Sequence, residues 1–498
     1  MELAKPQSVP MSFNGRPFHF IGIGGIGMSA LAYILVKQKF AVSGSDLRAT
    51  NLTHQLQSMG VTFFECQVAE NLTDYPARTG HRQLPQVICS TAIGENNPEF
   101  QAAQALGCPI FHRSDILAAL IERSQGIAVA GTHGKTTTSS MVGYVLLEGG
   151  LDPTIVVGGE VAAWHGNARI GDGPHLVAEA DESDGSLQKF SPRLGVITNI
   201  ELDHPDHYQT LEQVVAIFAQ FAQQSQGLVV CWDCPTVREH LNHENLITYS
   251  LSRESGADYT VDHVQYGANG TTAHVSERGK SLGILQLKLL GPHNLQNALA
   301  AIAVGRDVGL DFATISAALA KFEGARRRFE ERGQANGVRF IDDYAHHPSE
   351  IQVTLQAGRL QVGHDQPWRR LVAVFQPHRF SRTLTFLEEF SQSFQAADVV
   401  VITDIYSAGE PDQGLVQAKD LVSRLNDYHP HVSYAPTTTD VRYHLRQVLS
   451  PGDLVIFLGA GNLNQLIPDV IADQVPTAEV MGGVEVIAVN ACVQVVAQ

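Results

Sequence analysis

The chain has 498 residues, a formal net charge of −17, 44% hydrophobic and 17% charged residues, which is enough for about three domains with cores of their own. So acidic a balance argues against nucleic-acid binding, whose electrostatic footprint is basic. No apolar run approaches the roughly 20 residues of a membrane helix, and the N-terminus lacks a signal-peptide core, so a cytoplasmic protein without membrane insertion is expected.

The first predicted strand, Phe18-His19-Phe20-Ile21, runs into Gly22-Ile23-Gly24-Gly25-Ile26-Gly27, then a helix from Met28 to Lys37, then Ala41-Val42-Ser43 leading to Asp46. Glycines 22, 24 and 27 fit a tight turn, close approach to a diphosphate and helix–strand packing, and Asp46 falls near the distance where an acidic residue meets a ribose. Taken alone, this fingerprint reads by default as NAD or FAD binding, or as glycines serving only close packing.

A second cradle follows. The apolar run Ile127-Ala128-Val129 leads into Ala130-Gly131-Thr132-His133-Gly134-Lys135-Thr136-Thr137-Thr138, which opens a helix from Thr137 to Leu147. Glycines let backbone N–H groups turn toward phosphate oxygens, the helix N-terminus adds positive potential, Lys135 supplies a point charge and the Thr136 hydroxyl can ligate Mg²⁺. Val129 stands where the common pattern has its first glycine, so this is a tighter variant. Two diphosphate cradles in one chain are unusual for an oxidoreductase; a ligase joining a nucleotide-linked substrate to something else needs both.

The strand Leu176-Val177-Ala178-Glu179 ends in Ala180-Asp181-Glu182-Ser183-Asp184, an acidic patch placed to catch Mg²⁺. Gly195-Val196-Ile197-Thr198-Asn199 leads to Ile200-Glu201-Leu202-Asp203-His204-Pro205-Asp206, where His204 offers an imidazole to a second metal or to a phosphoryl oxygen. Cys231-Trp232-Asp233-Cys234 with His240 and His243 has the residue types of a zinc set. Yet Cys231 lies in an apolar run, Gly227 to Trp232, that reads as a buried strand, and no second cysteine pair follows at finger spacing. Six scattered cysteines (Cys66, Cys89, Cys108, Cys231, Cys234, Cys492) are expected as free thiols. Gly291-Pro292-His293-Asn294-Leu295-Gln296-Asn297 begins an Ala-rich helix on which Asn294 and Asn297 share a face open to a purine, with helix capping the plainer role for Asn294.

Arg326-Arg327-Arg328 marks a hinge from which an arginine can reach a transferring phosphoryl group. Beyond it, strands are predicted at Val338–Asp342, Leu371–Phe375, Val399–Thr403 and Leu454–Leu458, with helical stretches between. The first two end in Asp342-Asp343-Tyr344-Ala345-His346-His347-Pro348 and Gln376-Pro377-His378-Arg379-Phe380-Ser381-Arg382, and Arg379 and Arg382 can each hold a carboxylate. Gly459-Ala460-Gly461-Asn462 reads as a turn. The expected fold is α/β with three domains on mostly parallel sheets: Rossmann-like at about 1–123, P-loop ATPase-like at about 124–324, Rossmann-like at about 325–469, with a tail at about 470–498. The apolar stretch Val486 to Val496 in that tail reads equally as a strand, an edge cover or a disordered segment.

Together these strings resemble the Mur ligase family, most closely its alanine-adding branch, from about Phe18 to Ile467. The carriers are Gly22 to Gly27, Val42 to Asp46, Gly131 to Thr138, Glu179 to Asp184, Thr198 to Glu201, Asp203-His204, His293-Asn294 with Asn297, Asp342 to Pro348 and Gln376 to Arg379. The resemblance implies an ATP-dependent amide ligase of peptidoglycan synthesis that joins L-alanine to the lactyl carboxylate of UDP-N-acetylmuramate through an acyl phosphate. It implies that Gly22, Gly24, Gly25, Gly27 and Asp46 meet the UDP-sugar, and that Gly131, Thr132, His133, Gly134, Lys135, Thr136 and Thr137 meet ATP phosphates. It further puts Thr136 and Glu179 on one Mg²⁺, His204 on a second, Asn294 and Asn297 on adenine and Arg328 on the phosphoryl group. His347, His378, Arg379 and Arg382 complete the catalytic set, the last three toward the amino acid. Family members adding later amino acids have a modified lysine downstream of the Asp-His string; no lysine lies between Lys189 and Lys280 here. That absence fits the alanine-adding branch and also a recycling ligase that attaches a whole tripeptide, while Ser183 and Tyr344 resemble the former. Monomer and homodimer both remain open.

Overall fold

The computed structural model describes residues 11–475, so the stretch Val486 to Val496 and Cys492 lie outside the described residues. Five strands, β1 (Phe18–Ile21), β2 (Val42–Ser45), β3 (Thr62–Phe64), β4 (Gln86–Cys89) and β5 (Ile110–His112), pair in the order β3-β2-β1-β4-β5, all parallel. Every residue of β1 is buried, as expected of a parallel strand covered on both faces. One of them is His19, whose ring nitrogens meet Ser43 Oγ and Glu99 Oε1 at 2.8 Å each. Glu99 also accepts from Asn71 Nδ2 at 2.8 Å, so this buried carboxylate is satisfied by a polar network running through the core.

The central sheet has ten strands: β6 (Gln125–Ala130), β7 (Thr154–Val161), β8 (Gly166–Arg169), β9 (His175–Glu179), β10 (Leu194–Ile197), β11 (Gly227–Cys231), β12 (Leu246–Ser250), β13 (Tyr259–Gly267), β14 (Gly270–Glu277) and β15 (Lys280–Leu287). Their order is β15-β14-β13-β12-β11-β10-β6-β9-β7-β8. The interior is parallel, while β7–β8 and β13–β14–β15 pair antiparallel at the two edges. The β13–β15 meander is absent from the sequence-based expectation, although its alternation is legible: Ala273, Val275, Leu285 and Leu287 are buried with exposed or partly exposed residues between them. One face of the central sheet shares a continuous apolar core with the helix Ile26–Lys37 of the first unit, and the other is covered by the helices Lys135–Glu148 and Pro292–Asp307.

The third sheet holds β16 (Glu330–Ala335), β17 (Val338–Asp343), β18 (Arg370–Phe375), β19 (Val399–Ile402), β20 (Val432–Tyr434) and β21 (Asp453–Leu458), in the order β16-β17-β21-β18-β19-β20. Only β16 runs antiparallel. The four strands expected here coincide with β17, β18, β19 and β21 to within one residue at each end. The chain is thus an α/β protein of three mostly parallel sheets. Cys231 ends the buried strand β11, and all five described cysteines are free. Among the described residues no helix is long and apolar enough to cross a membrane.

Candidate active site

The strand order places β10, β6 and β9 side by side, so three chain segments leave the carboxyl edge of one sheet within reach of each other, the usual position of a ligand crevice in open α/β sheets. After β6 the chain turns through Gly131 at φ +138° and Gly134 at φ +79° into the helix Lys135–Glu148. A Cβ at Gly131 would lie 1.9 Å from Thr198 Oγ1, so both the backbone angle and the space demand glycine. Thr198 and Asn199, leaving β10, brace this loop: Thr198 Oγ1 donates to the His133 carbonyl at 2.6 Å and His133 N donates to Asn199 Oδ1 at 2.8 Å. Gly131→Ala is expected to abolish ATP binding, read by calorimetry, and to lower the urea midpoint as well, since the added methyl must displace Thr198.

Lys135 does more than present a charge. Its Nζ donates to the Gly131 carbonyl at 2.7 Å and to both oxygens of Glu182 at 2.9 and 2.8 Å, and Glu182 is only 1% exposed. Burial disfavours the ammonium, but Glu182 and neighbouring carboxylates outweigh it and hold the lysine firmly protonated. The point charge expected of Lys135 is thus also the partner of a buried carboxylate and of a carbonyl of its own loop.

Thr136 Oγ1 donates to Glu179 Oε1 at 3.0 Å, and Gly158 N donates to the other oxygen at 2.6 Å. A Cβ at Gly158 would overlap that carboxylate at 2.6 Å, which keeps β7 bare beside it. His204 Nε2 lies 3.6 Å from Glu182 Oε1 and 3.7 Å from Asp203 Oδ2, and Asp181, Glu182 and His204 offer ligand atoms within 4.8 Å of one another. A hydroxyl with several carboxylate oxygens is the hard donor set that Mg²⁺ takes, so these residues fit the implied ion. His204 adopts φ +55°, and its backbone N–H donates to Asp203 Oδ1 at 2.6 Å.

A cavity of about 740 Å³ opens beside the loop, lined by His133, Thr137, Asn294, Asn297, Arg328 and Tyr249. Asn294 does not cap its helix, which starts after Gly291. Instead its Nδ2 donates to the Leu290 carbonyl at 2.8 Å, and Asn297 Oδ1 accepts from Thr138 at 3.0 Å. The three consecutive arginines Arg326, Arg327 and Arg328 diverge. Arg326 pairs with Glu160 at 3.0 Å, Arg327 donates to the Gly459 carbonyl at 2.6 Å, and only Arg328 reaches the phosphate loop, with Nη2 3.4 Å from Thr136 Oγ1.

The third unit meets the central one through discrete polar ties. His133 Nδ1 lies 3.2 Å from Glu350 Oε1 and its Nε2 lies 3.4 Å from Glu201 Oε2, while Ser349 Oγ donates to Glu201 at 2.7 Å. His347 caps the helix Pro348–Arg359 reciprocally with Glu350, and its ring packs, tilted by 40°, with its centroid 4.7 Å from that of His133. Arg379, at φ +70°, pairs with Asp206 at 2.6 Å. Arg382 departs from the expectation of a free carboxylate grip: it is 2% exposed, and both Nε and Nη2 donate to Asp203 Oδ1, at 2.9 and 2.8 Å. His378 lies 3.4 Å from Arg382 Nη1 and stacks on Tyr406, and burial beside Arg382 and Arg379 holds it down to about 4, hence neutral.

Burial disfavours charge on His133, but hydrogen bonds to Glu201 and Glu350 prevail and carry it up to about 10. An unfolded histidine titrates near about 6.5, so this pairing stabilises fully below that pH and is lost as pH rises through the folded value. Glu201 works from the other side: burial raises it, the hydrogen bond from His133 pulls it down to about 2, and its contribution is lost as acid approaches that value. The denaturation midpoint is therefore expected to fall between about pH 7 and pH 10, and His133→Asn to flatten that limb; an unchanged slope in the variant would remove His133 from the account.

In the first unit, Gly22 turns at φ +82° and Gly25 caps the helix Ile26–Lys37. Asp46 Oδ2 accepts from Gly24 N at 2.8 Å, so the acidic residue braces the glycine turn. A Cβ at Gly27 would press on Arg113, whose Nη2 lies 3.3 Å from Asp184 and 3.6 Å from Asp181, linking this turn to the central acidic string. Sequence reasoning placed Glu182 only within an acidic patch for Mg²⁺ and gave no individual role to Thr198, Asn199, Glu201, Asp203 or Glu350; each of the six holds an expected site residue in place. The available signal was position: Glu182, Thr198, Asn199, Glu201 and Asp203 follow strands at one edge of the central sheet, and Glu350 opens the helix after β17 in the third sheet.

The chain matches three family descriptions in series: Mur ligase family, catalytic domain, over residues 17–125; Mur ligase middle domain over 129–305; and Mur ligase, glutamate ligase domain, over 327–461. It is 68% identical over 464 residues to the UDP-N-acetylmuramate--L-alanine ligase of Thermosynechococcus vestitus, covering 93% of this chain and 97% of that one. Identity to the protein of the same name from Nostoc sp. is 60% over 482 residues, with 93% and 97% covered. Among solved structures, the UDP-N-acetylmuramate-alanine ligase of Thermotoga maritima superposes with a TM-score of 0.75 at 29% identity, covering 92% of this chain and 98% of that one. With three matched units in the order of its three sheets, the chain belongs to the Mur ligase family.

Proposed function

We propose that this protein joins L-alanine to UDP-N-acetylmuramate at the expense of ATP, in peptidoglycan synthesis in the cytoplasm. The observation that carries this reading is the meeting of three devices at one crevice: a phosphate loop, an arginine from the third unit touching that loop's threonine, and a histidine–arginine cluster on the third unit. The high identity to proteins named for this reaction, along nearly the whole chain, supports the same choice over the tripeptide alternative.

In this reading, Gly22, Gly24, Gly25, Gly27 and Asp46 hold the uridine diphosphate, and the loop Gly131–Thr137 holds the ATP phosphates, with Asn294 and Asn297 toward adenine. Thr136 and Glu179 would hold one Mg²⁺ and His204 a second; when bound, these ions neutralise phosphate charge. The lactyl carboxylate attacks the γ-phosphorus and ADP leaves. Lys135 and Arg328 offset the charge that develops on the transferring group. The alanine amine then attacks the acyl carbon, the C–N bond forms and phosphate departs. His347, which burial and the adjacent His133 charge hold down to about 4, is neutral; its Nδ1 accepts from Ser349 N, so Nε2 carries the ring proton and, buried without a partner, is suited to donate a hydrogen bond to an oxygen of the reacting acyl group. Arg379 and His378 face the amino acid, while Arg382 acts through Asp203, which it positions.

Mixing the protein with ATP, Mg²⁺ and UDP-N-acetylmuramate and following phosphate release tests this. Release should depend on both the sugar nucleotide and L-alanine; release indifferent to either would reject the assignment.

A further inference from the structure

On the β13–β14 hairpin stands a group of ligating side chains that the ligase reaction does not use. Asp262 and His274 are direct cross-strand partners, so their side chains share a face of the hairpin. That face is the outer one, since Val261, Ala273 and Val275 on either side of them are buried. The register then slips between Asp262 and Gln265, and the bulge contains His263 at φ +49°. A regular strand would send the residue after Asp262 to the opposite face. The left-handed backbone instead returns the His263 ring to the side of its neighbours, 5.1 Å from the His274 ring between centroids. Bulges commonly re-aim a side chain in this way.

Three donors converge as a result. Asp262 Oδ1 lies 3.8 Å from His263 Nε2 and 3.9 Å from His274 Nδ1, and all three ligand atoms fall within 4.8 Å of one another. The ion pair that Asp262 makes with Arg253 Nη1, at 3.1 Å, uses the other oxygen, Oδ2. Bonds of about 2.0–2.2 Å to a tetrahedral centre put donors roughly 3.4 Å apart, so the two contacts to Asp262 need to shorten by about half an ångström, and the imidazole pair, already within 4.8 Å, closes by side-chain rotation. The side chains have that freedom, His263 being 75% and His274 46% exposed. Two imidazoles and one carboxylate suit Zn²⁺, Ni²⁺ or Cu²⁺ and not Mg²⁺, which prefers oxygen donors and its own waters.

We propose that Asp262, His263 and His274 form a surface site for a divalent transition-metal cation, taking Zn²⁺ through three protein ligands with the remaining position open to water. It is separate from the crevice and independent of the ligase assignment. Its occupation would clip β13 to β14 just before the turn where the Ala268 carbonyl accepts from Gln361 Nε2 of the third unit, at 2.8 Å.

The test is calorimetric titration of the full chain with Zn²⁺, in saturating Mg²⁺ and ADP so that the crevice donors are engaged. One zinc equivalent is expected to disappear in the double variant His263→Ala/His274→Ala, and its affinity to weaken about tenfold or more in each single variant and in Asp262→Asn. Turnover with Mg²⁺ alone should stay at the parent level in all four, because none of these residues reaches the crevice. Unchanged zinc stoichiometry and affinity in the double variant would overturn the proposal, as would loss of the same equivalent on replacing His204 instead.

Discussion

Replacing Lys135 by alanine is expected to lower turnover by at least about 10²–10³-fold and also to destabilise the fold by about 3–5 kcal/mol. The first effect follows from losing the cation that offsets phosphate charge. The second follows from the 1% exposure of Glu182, whose carboxylate would be left buried with its main partner gone. The two effects separate in the double variant Lys135→Ala/Glu182→Gln. Its neutral amide needs no counter-charge, so the urea midpoint should recover most of the loss while turnover does not. A single variant as stable as the parent would show that water relieves Glu182 and that the pair adds nothing to the fold; a double variant regaining activity would remove Lys135 from the chemistry.

The second large effect is expected at Arg382. Its guanidinium lends two N–H groups to Asp203 Oδ1 in a setting where the side chains are 2% and 5% exposed. Burial raises the Asp203 carboxyl, but Arg382 and the surrounding histidines drive it well below the usual carboxylate range. Arg382→Ala should therefore cost about 3–5 kcal/mol, and Arg382→Lys should recover only part, because an ammonium cannot reproduce the planar fork. Since Asp203 also receives the His204 N–H, turnover should fall with stability. Adding Asp203→Asn to Arg382→Ala should restore stability in part. If Arg382→Ala left the unfolding curve in place and only raised the KM for alanine, the arginine would be a substrate grip after all.

Much of this was legible in the residues and some was not, for physical reasons. The strands β1, β6, β9, β10, β17, β18, β19 and β21 stand out because a buried parallel strand is a continuous apolar run, and the loops after them are marked by glycines or by clustered charge. The antiparallel meander β13–β15 was not expected, since an alternating edge strand carries few apolar residues. Partners were harder to read than sites. Lys135, His133 and Arg382 were evident as candidates, yet Glu182, Glu350 and Asp203, which hold them, are ordinary acidic residues until the fold brings distant segments together. Glu99 is the extreme case: nothing around Pro98–Ala105 indicates that its carboxylate ends beneath His19 in the core of the first sheet.

The short segment from Glu201 to Asp206 carries three of the ties to the third unit, through Ser349, Arg382 and Arg379. A joint made of a few countable bonds behaves like a latch, whereas a broad oily seam behaves like glue. The strength of this joint is set by a few named pairs, with Leu202 the one apolar residue of the segment packed against the core of the third unit. Severing any one of these bonds by substitution should therefore loosen the joint by a discrete step and leave the cores on either side of it whole.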